Sequence, residues 1–197
     1  MLLTKDTDHA ITTLKSGGVI VYPTETSYGL GCDATNTDAV ARIFAMKGRP
    51  ENKGVTVLLP EDYEGKDFGI VWSDAAKALA KKFLPGALNI ILSVRSTTPL
   101  AHRCLTNNTI AVRRSSHPIA TALVDALSVP LVSTSANISG EPDSYSAEDI
   151  YKRFLQQTLR PDCIIDAGKI PKHAPSTLVQ IADDGAIVVL RQGEIVI

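Results

Sequence analysis

The stretch that decides the fold is Val19-Ile20-Val21-Tyr22-Pro23-Thr24-Glu25-Thr26-Ser27-Tyr28-Gly29-Leu30-Gly31, followed after a short helical segment by Met46-Lys47-Gly48-Arg49-Pro50-Glu51-Asn52-Lys53. Val19 to Tyr22 is an unbroken apolar run, the pattern of a strand covered on both faces. It stops at Pro23 and opens into Thr24 to Tyr28, a run of hydrogen-bonding side chains closed by Gly29 and Gly31. From Thr37 apolar residues return at helical spacing (Val40, Ile43, Phe44, Met46), and Gly48 and Pro50 end the helix. Arg42, Lys47, Arg49 and Lys53 place four cations in and just after it. Hydroxyls at a strand's carboxyl end followed by clustered cations suit a small anion, and that end is where open α/β sheets bind ligands. The stretch therefore predicts a phosphate-bearing ligand, a nucleotide first.

Outward from it, strands and helices alternate. Asp6 to Ser16 reads as a helix stopped by Gly17-Gly18, Val55 to Leu59 as a strand, and Ser73 as the cap of a helix reaching Leu84. Leu88 to Val94 and Thr109 to Arg113 read as strands, with a short helix or turn around Pro99 to Leu105 between them. Pro118 opens a helix to Leu127, and Val129 to Thr134 is a strand leading into the polar loop Ser135 to Gly140. Ser146 caps a further helix, and Cys163 to Asp166, Thr177 to Ile181 and Ala186 to Arg191 are strands. Asp183-Asp184-Gly185 joins the last two as a hairpin signal. The pattern predicts one α/β domain over residues 1–197, a twisted mixed open sheet with flanking helices and no internal repeat.

Composition narrows the function classes. Of 197 residues, 44% are hydrophobic and 21% charged, and 20 basic against 21 acidic side chains leave a net charge of −1. Nucleic-acid binding through bulk positive charge is excluded, leaving only a local patch. Cys32, Cys104 and Cys163 are odd in number and widely spaced, which fits neither a metal set nor a disulfide framework and points to a reducing cytoplasm. Met1 to Asp6 lacks the apolar core of a signal peptide and no apolar run is long enough for a bilayer, so no membrane partner is expected.

No phosphate loop of the G-x-x-x-x-G-K-S/T type occurs, Gly29-Leu30-Gly31 lacks the third glycine of a dinucleotide loop, and neither a paired-histidine zinc motif nor a G-x-S-x-G elbow is present. Lys47-Gly48-Arg49 either complements the dipole at a helix C-terminus or grips phosphate, Arg49 bidentately and Lys47 as a point charge. Thr24 and Thr26 share one side of an extended segment, as turn-forming hydroxyls or as ligand groups. Tyr28 on its own reads as core. Ser133-Thr134-Ser135-Ala136-Asn137 places four polar side chains at the end of an apolar strand, where unmatched burial would be costly. Arg113-Arg114 ends another strand, with one arginine expected inward and one outward. Ser176 and Arg191 begin and end the late strands, while His102, His117 and Cys32 read as structural.

Taken in order, Y-P-T-E-T-S-Y-G-L-G, K-G-R-P, T-I-A-V-R-R-S-S-H-P-I-A, P-L-V-S-T-S-A-N-I-S-G, P-S-T-L-V and V-L-R-Q-G resemble the YrdC/Sua5 family from about Thr4 to Gly193. The resemblance implies a twisted α/β sheet with a large, positively lined concave cavity and the activity of an L-threonylcarbamoyladenylate synthase. This is a nucleotidyltransferase that joins L-threonine, bicarbonate or CO2, and ATP into threonylcarbamoyl-AMP and pyrophosphate, for t6A at position 37 of tRNA. Mg2+ is the implied cofactor, held mainly by the ATP phosphates. Implied partners are tRNA or double-stranded RNA and a downstream t6A transferase complex. By matched position, Thr26, Arg113, Ser133 and Ser176 are expected at threonine, with Thr24 and Tyr28 beside them. Arg49, Lys53, Thr109, Ser135, Asp143 and Arg191 are expected at ATP. Lys47, Arg49, Ser135 and Asn137 resemble the family's K-x-R…S-x-N tetrad, which adds Lys47 and Asn137 to the ATP site and makes Lys47 and Arg49 the charge-bearing catalytic pair. Phe83-Leu84-Pro85-Gly86-Ala87-Leu88-Asn89 departs from the family's F-W-P-G-P-L-T, and Leu58 stands where some members have histidine. The short, single-domain type without the C-terminal Sua5 domain is implied. The rival readings are a double-stranded RNA-binding factor and a diverged YciO-like paralogue.

Overall fold

Side-chain alternation along the strands sets the architecture. In the computed structural model, which describes residues 1–60, 66–182 and 185–197, β1 is Leu2–Thr4, β2 Ile20–Pro23, β3 Tyr28–Gly31, β4 Thr56–Leu58, β5 Ile70–Val71, β6 Leu88–Val94, β7 Thr109–Arg113, β8 Leu131–Ser135, β9 Cys163–Ile165, β10 Thr177–Ile181 and β11 Ile187–Arg191. They form one mixed sheet in the order β1-β9-β2-β3-β8-β4-β7-β6-β10-β11, with β5 paired to β6 off that path. Parallel pairs (β1 with β9, β2 with β9, β4 with β7, β6 with β10) are interleaved with antiparallel ones. This bears out the mixed α/β expectation.

Among the described residues five α-helices flank the sheet: α1 Thr7–Lys15, α2 Thr37–Lys47, α3 Asp74–Phe83, α4 Pro118–Leu127 and α5 Ala147–Leu155. Each begins on a side chain that accepts a first-turn N–H: Asp6, Asn36, Ser73, His117 and Ser146 respectively. One face of the sheet is apolar throughout. Val57, Ile90, Val112 and Val132 pack there against Val40, Ile43 and Phe44 of α2, Ala76 and Leu79 of α3, and Ile150 and Phe154 of α5. The other face is divided. Ile20, Tyr22, Leu58 and Leu131 pack under Ala10 and Leu14 of α1 and Leu123 and Val124 of α4. Farther along the same strands the matching positions are polar, and they line an open cavity.

The segment after β2 differs from the expected ligand loop. Thr24 to Ser27 is the turn of a hairpin, and Tyr28–Gly31 is its second strand, antiparallel to β2 with Tyr22 opposite Gly29. Gly29 and Gly31 make room for the buried Tyr22 ring. A Cβ on Gly31 would meet the Tyr22 ring at 2.8 Å and would also collide with the Val132 carbonyl. The Tyr22 hydroxyl donates to that carbonyl at 3.2 Å. The two short strands β1 and β5 have no alternation long enough to read. The Leu58 departure is absorbed by the core, since Leu58 is fully buried beneath α1 and α4. β10 and β11 pair antiparallel as expected, while Asp183 and Asp184 of the proposed turn lie outside the described residues. Cys32, Cys104 and Cys163 are free and buried.

Candidate functional site

The cavity has a volume of about 660 Å3 and lies across the face of the sheet. This corrects the expectation of a site at strand carboxyl ends: in a mixed sheet those ends point both ways and do not converge on one edge. The floor follows from the two-residue period of a strand. β7 supplies Thr109, Ala111 and Arg113, β6 supplies Asn89 and Ile91, and β10 supplies Leu178 and Gln180. Thr56, Ser133, Ser135 and Gly29 continue it across β4, β8 and β3. Thr24 and Thr26 enter from the hairpin turn, Arg49 and Lys53 from the segment after α2, and Asp143, Ser176 and Arg191 close the sides.

At one corner, Arg113 is buried, 6% exposed. Its Nη2 lies 2.6 Å from Glu25 Oε1, and its Nε donates to the Gly86 carbonyl at 3.2 Å. Thr26 Oγ1 sits 3.4 Å from Nη2 and 3.5 Å from Nη1. The Thr24 hydroxyl is absorbed by the turn, since it donates to Ser27 O at 2.7 Å and accepts from the N–H groups of Thr26 and Ser27. Glu25 also accepts from Ser115 Oγ at 2.5 Å. Burial alone would raise the Glu25 carboxyl, but the Arg113 charge and the hydrogen bonds from Ser115 and Arg113 outweigh it and hold the group below the usual carboxylate range. Sequence reasoning missed Glu25 and Ser115. A carboxylate flanked by two expected substrate contacts, Thr24 and Thr26, was the available signal.

The second corner joins three strands. Arg191 Nε donates to the Ser176 main-chain oxygen and its Nη2 to Ser176 Oγ, both at 3.1 Å. Asn89 Nδ2 donates to the same Oγ at 3.0 Å. Burial disfavours the Arg191 charge, Asp143 partly offsets this, and Arg113 adds repulsion. Asn89 was also missed: the run Leu88 to Val94 reads as apolar, although Asn89 interrupts it at a cavity-facing position.

Lys47 is held by acceptors of the protein itself. It is the last residue of α2, capped by left-handed Gly48, and its ammonium is buried against the loop after β8. Nζ donates to Ser135 O at 2.5 Å and to Asn137 O and Asn137 Oδ1, both at 2.8 Å. Three acceptors match its three N–H groups. Ser135 Oγ donates to Asn137 Oδ1 at 2.7 Å, and Asn137 Nδ2 reaches Glu141 O and Asp143 Oδ1. Lys47 and Asn137 therefore set the loop that carries Ser135 and Asp143, and they border a smaller cleft of about 160 Å3 with Arg49, Lys53 and Ser135. Burial first, then Arg49, lowers Lys47 to about 8, with Asp143 opposing. Arg49 donates to the carbonyls of Lys53 and Gly54, which shapes the segment beside the cavity.

Two expected cations and contacts go elsewhere. Arg42 makes a two-pronged pair with Asp162, 3.0 Å on each arm. The Tyr28 ring lies in the core, its hydroxyl donating to Gly168 O at 2.8 Å and accepting from Ala167 N at 3.1 Å. Tyr28 is thus absent from the cavity lining. Strand alternation explains this, since its neighbour Gly29 takes the cavity face.

Known proteins resemble this chain in sequence and fold. The Sua5/YciO/YrdC family model, described as "Telomere recombination", matches residues 12–193. A threonylcarbamoyl-AMP synthase of Xanthomonas campestris pv. campestris (strain B100) is 40% identical over 194 residues, covering 94% of this chain and 97% of that protein. The threonylcarbamoyl-AMP synthase of Bacillus subtilis (strain 168) is 36% identical over 182 residues, covering 92% of this chain, which spans 51% of that longer relative. The structure of Pyrococcus abyssi Sua5 complexed with L-threonine superposes with a TM-score of 0.84 at 30% identity, covering 98% of this chain and 57% of that one.

Proposed function

The chain belongs to the Sua5/YciO/YrdC family, and from that premise we propose that it is a threonylcarbamoyl-AMP synthase acting on L-threonine, CO2 derived from bicarbonate, and ATP. One observation carries the reading: a single cavity is lined by two sets of cationic and hydroxyl side chains, Arg113 with Thr26, Ser176 and Arg191 in one and Arg49 with Lys53 and Ser135 in the other. The first suits an amino-acid carboxylate, the second a triphosphate.

In the proposed chemistry the threonine nitrogen bonds to the carbon of CO2 and loses a proton, giving a carbamate. A carbamate oxygen then bonds to the α-phosphorus as the bond to the β-phosphate breaks, and pyrophosphate leaves. Neither step needs a protein nucleophile. Cys104 lines the cavity, but burial pushes its thiol up to about 12, so it stays protonated at neutral pH. The protein's work is alignment and charge neutralisation. Arg113 and Thr26 orient the amino acid, Arg49 and Lys53 face the phosphates, and the cavity shelters a carbamate that water would destroy. Among the described lining residues Asp143 is the one carboxylate, a donor set suited to Mg2+ carried chiefly by nucleotide phosphates, where the ion would offset phosphate charge. The product would feed t6A formation on tRNA by a downstream transferase in the cytoplasm. No helix among the described residues is long and apolar enough to cross a membrane. Double-stranded RNA binding is the weaker reading, because Arg49, Arg113 and Arg191 are all turned into the cavity.

The test is pyrophosphate release from ATP, Mg2+ and bicarbonate with and without L-threonine. Threonine-dependent release with a product of threonylcarbamoyl-AMP mass supports the reading. A folded, ATP-binding protein that releases none overturns it in favour of a diverged paralogue.

A further inference from the structure

β11 is the last strand of the sheet, and among the described residues it pairs with β10 alone. Edge strands are ordinarily guarded against other strands by charge, proline or a bulge. Ile187-Val188-Val189-Leu190 carries no charge and no proline, and all four side chains are 40–51% exposed. Val188 and Val189 point to opposite faces, so the strand is aliphatic and open to solvent on both. Its one irregularity, the register shift that leaves Leu190 unpaired between Val189 and Arg191, comes after the regular run Ile187 to Val189. Of the ten large hydrophobic side chains exposed among the described residues, six fall between Ile187 and Ile197. That is a patch, where single exposed aliphatics scattered over a surface need no explanation.

The hairpin shows which backbone groups are free to pair. Ala182 N–H bonds to the Ala186 carbonyl. Hydrogen bonding alternates along an antiparallel pair, so Val188, opposite Gln180, turns its main-chain groups to β10. Ile187 and Val189 turn theirs to the free edge. A foreign strand could dock there only by bringing an uncharged aliphatic run of its own, and this strand is its own match. Paired antiparallel with a second β11 about Val188, it sets Ile187 of each copy opposite Val189 of the other, with hydrogen bonds both ways, and Val188 opposite Val188. Aliphatic then meets aliphatic on both faces. A net charge of −1 puts little repulsion between two copies.

We propose that two copies of this chain associate through β11, antiparallel about a twofold axis at Val188, so that one sheet runs through both. The contact is isologous and uses up the edge, so assembly through it stops at two. The six exposed side chains offer on the order of 500 Å2 per copy, against ~800 Å2 per partner in a standard interface. The dimer is therefore a weak one that exchanges with single chains. Leu190 and Arg191 also line the cavity, so the second strand runs beside a wall of the site. The proposal is independent of the synthase reading.

The test is sedimentation of the full chain at loading concentrations from about 1 to about 500 μM. The average mass is expected to rise with concentration toward twice that of a single chain. Val188→Lys sets two ammonium groups opposite each other and is expected to stay single throughout, with its melting midpoint unchanged because the site is exposed. Leu155→Lys makes the same change at an exposed position of α5 and is expected to dimerise as wild type does. Oxidation gives a check on register. Directly opposite residues that are not hydrogen-bonded to each other have Cα atoms ~4.5 Å apart, within disulfide reach. Val188→Cys is therefore expected to link into dimers, and Val71→Cys, on exposed β5, is not; the native cysteines are all buried. A wild-type protein that stays single at the highest concentration overturns the proposal and leaves the edge to a different chain. So does a folded Val188→Lys protein that dimerises like wild type, or a Val188→Cys protein that links no faster than Val71→Cys.

Discussion

The Nζ of Lys47 lies 2.8 Å from both the main-chain and the side-chain oxygen of Asn137. A lysine at the end of α2 thereby fixes a loop ninety positions later in the chain. The same network holds Ser135 and Asp143 in place, since Asn137 accepts from Ser135 Oγ and donates to Asp143 Oδ1.

Lys47→Ala is expected to lower kcat/KM at least a hundredfold and to cost about 2 kcal/mol of stability, because buried acceptors lose a charged donor. Amide exchange would show faster opening of residues 135–143. A variant with normal exchange there and no activity would place Lys47 on substrate instead.

The Lys47 ammonium also titrates early. Burial lowers it to about 8 from 10.5, so between those values the unfolded chain holds more protons than the folded one. Its contribution to stability is a fixed penalty below pH 8 that is relieved as pH rises through that window. NMR titration of isotopically labelled lysines should find one midpoint near 8. A full set of lysine midpoints near 10.5 would contradict the burial argument.

Glu25→Gln removes the charge that orients Arg113. The expected result is a rise in KM for threonine of about tenfold and a loss of about 2 kcal/mol, the pair being buried but not sealed. Because the folded carboxyl sits below its ordinary range, wild-type stability from this group is present at neutral pH. It is lost as pH falls through the folded value, and the variant should lack that acid-side loss. Equal acid sensitivity in both proteins would count against the pair.

Gly31→Ala introduces a Cβ against the Tyr22 ring and the Val132 carbonyl. Overpacking of this kind costs about 2 kcal/mol or more, read as a lowered denaturation midpoint. A Gly31→Ala protein as stable as wild type would mean that the hairpin shifts freely over β8.

Tyr28→Phe deletes a hydroxyl that only holds Ala167 and Gly168. A loss of about 1 kcal/mol is expected, with threonine affinity changed less than threefold. A tenfold loss of affinity would return Tyr28 to the substrate.

Much of this was legible in the chain. Helix limits such as Pro118 to Leu127 and strand limits such as Leu88 to Val94 matched, because caps and long apolar runs are local signals. The hairpin was not legible: Tyr28 to Gly31 contains two glycines, and only the Tyr22 ring, brought over by pairing, explains them. The cations illustrate the same limit. Sequence proximity grouped Arg42 with Lys47 and Arg49, but helix geometry sends Arg42 to Asp162 and Lys47 to Asn137. Asn89 and Glu25 acquire meaning only from neighbours on other strands.

The two faces of β6, β7 and β10 answer to different pressures. On β6 and β7 the odd positions, such as Asn89, Ile91 and Ala111, face the cavity, as do the even positions Leu178 and Gln180 of β10, while the alternate ones such as Ile90, Val112 and Val179 hold the protein together. A mutation on the first set can therefore be tried without endangering the second. A lineage carrying this sheet can change what it binds one floor residue at a time, each intermediate still folded and open to selection.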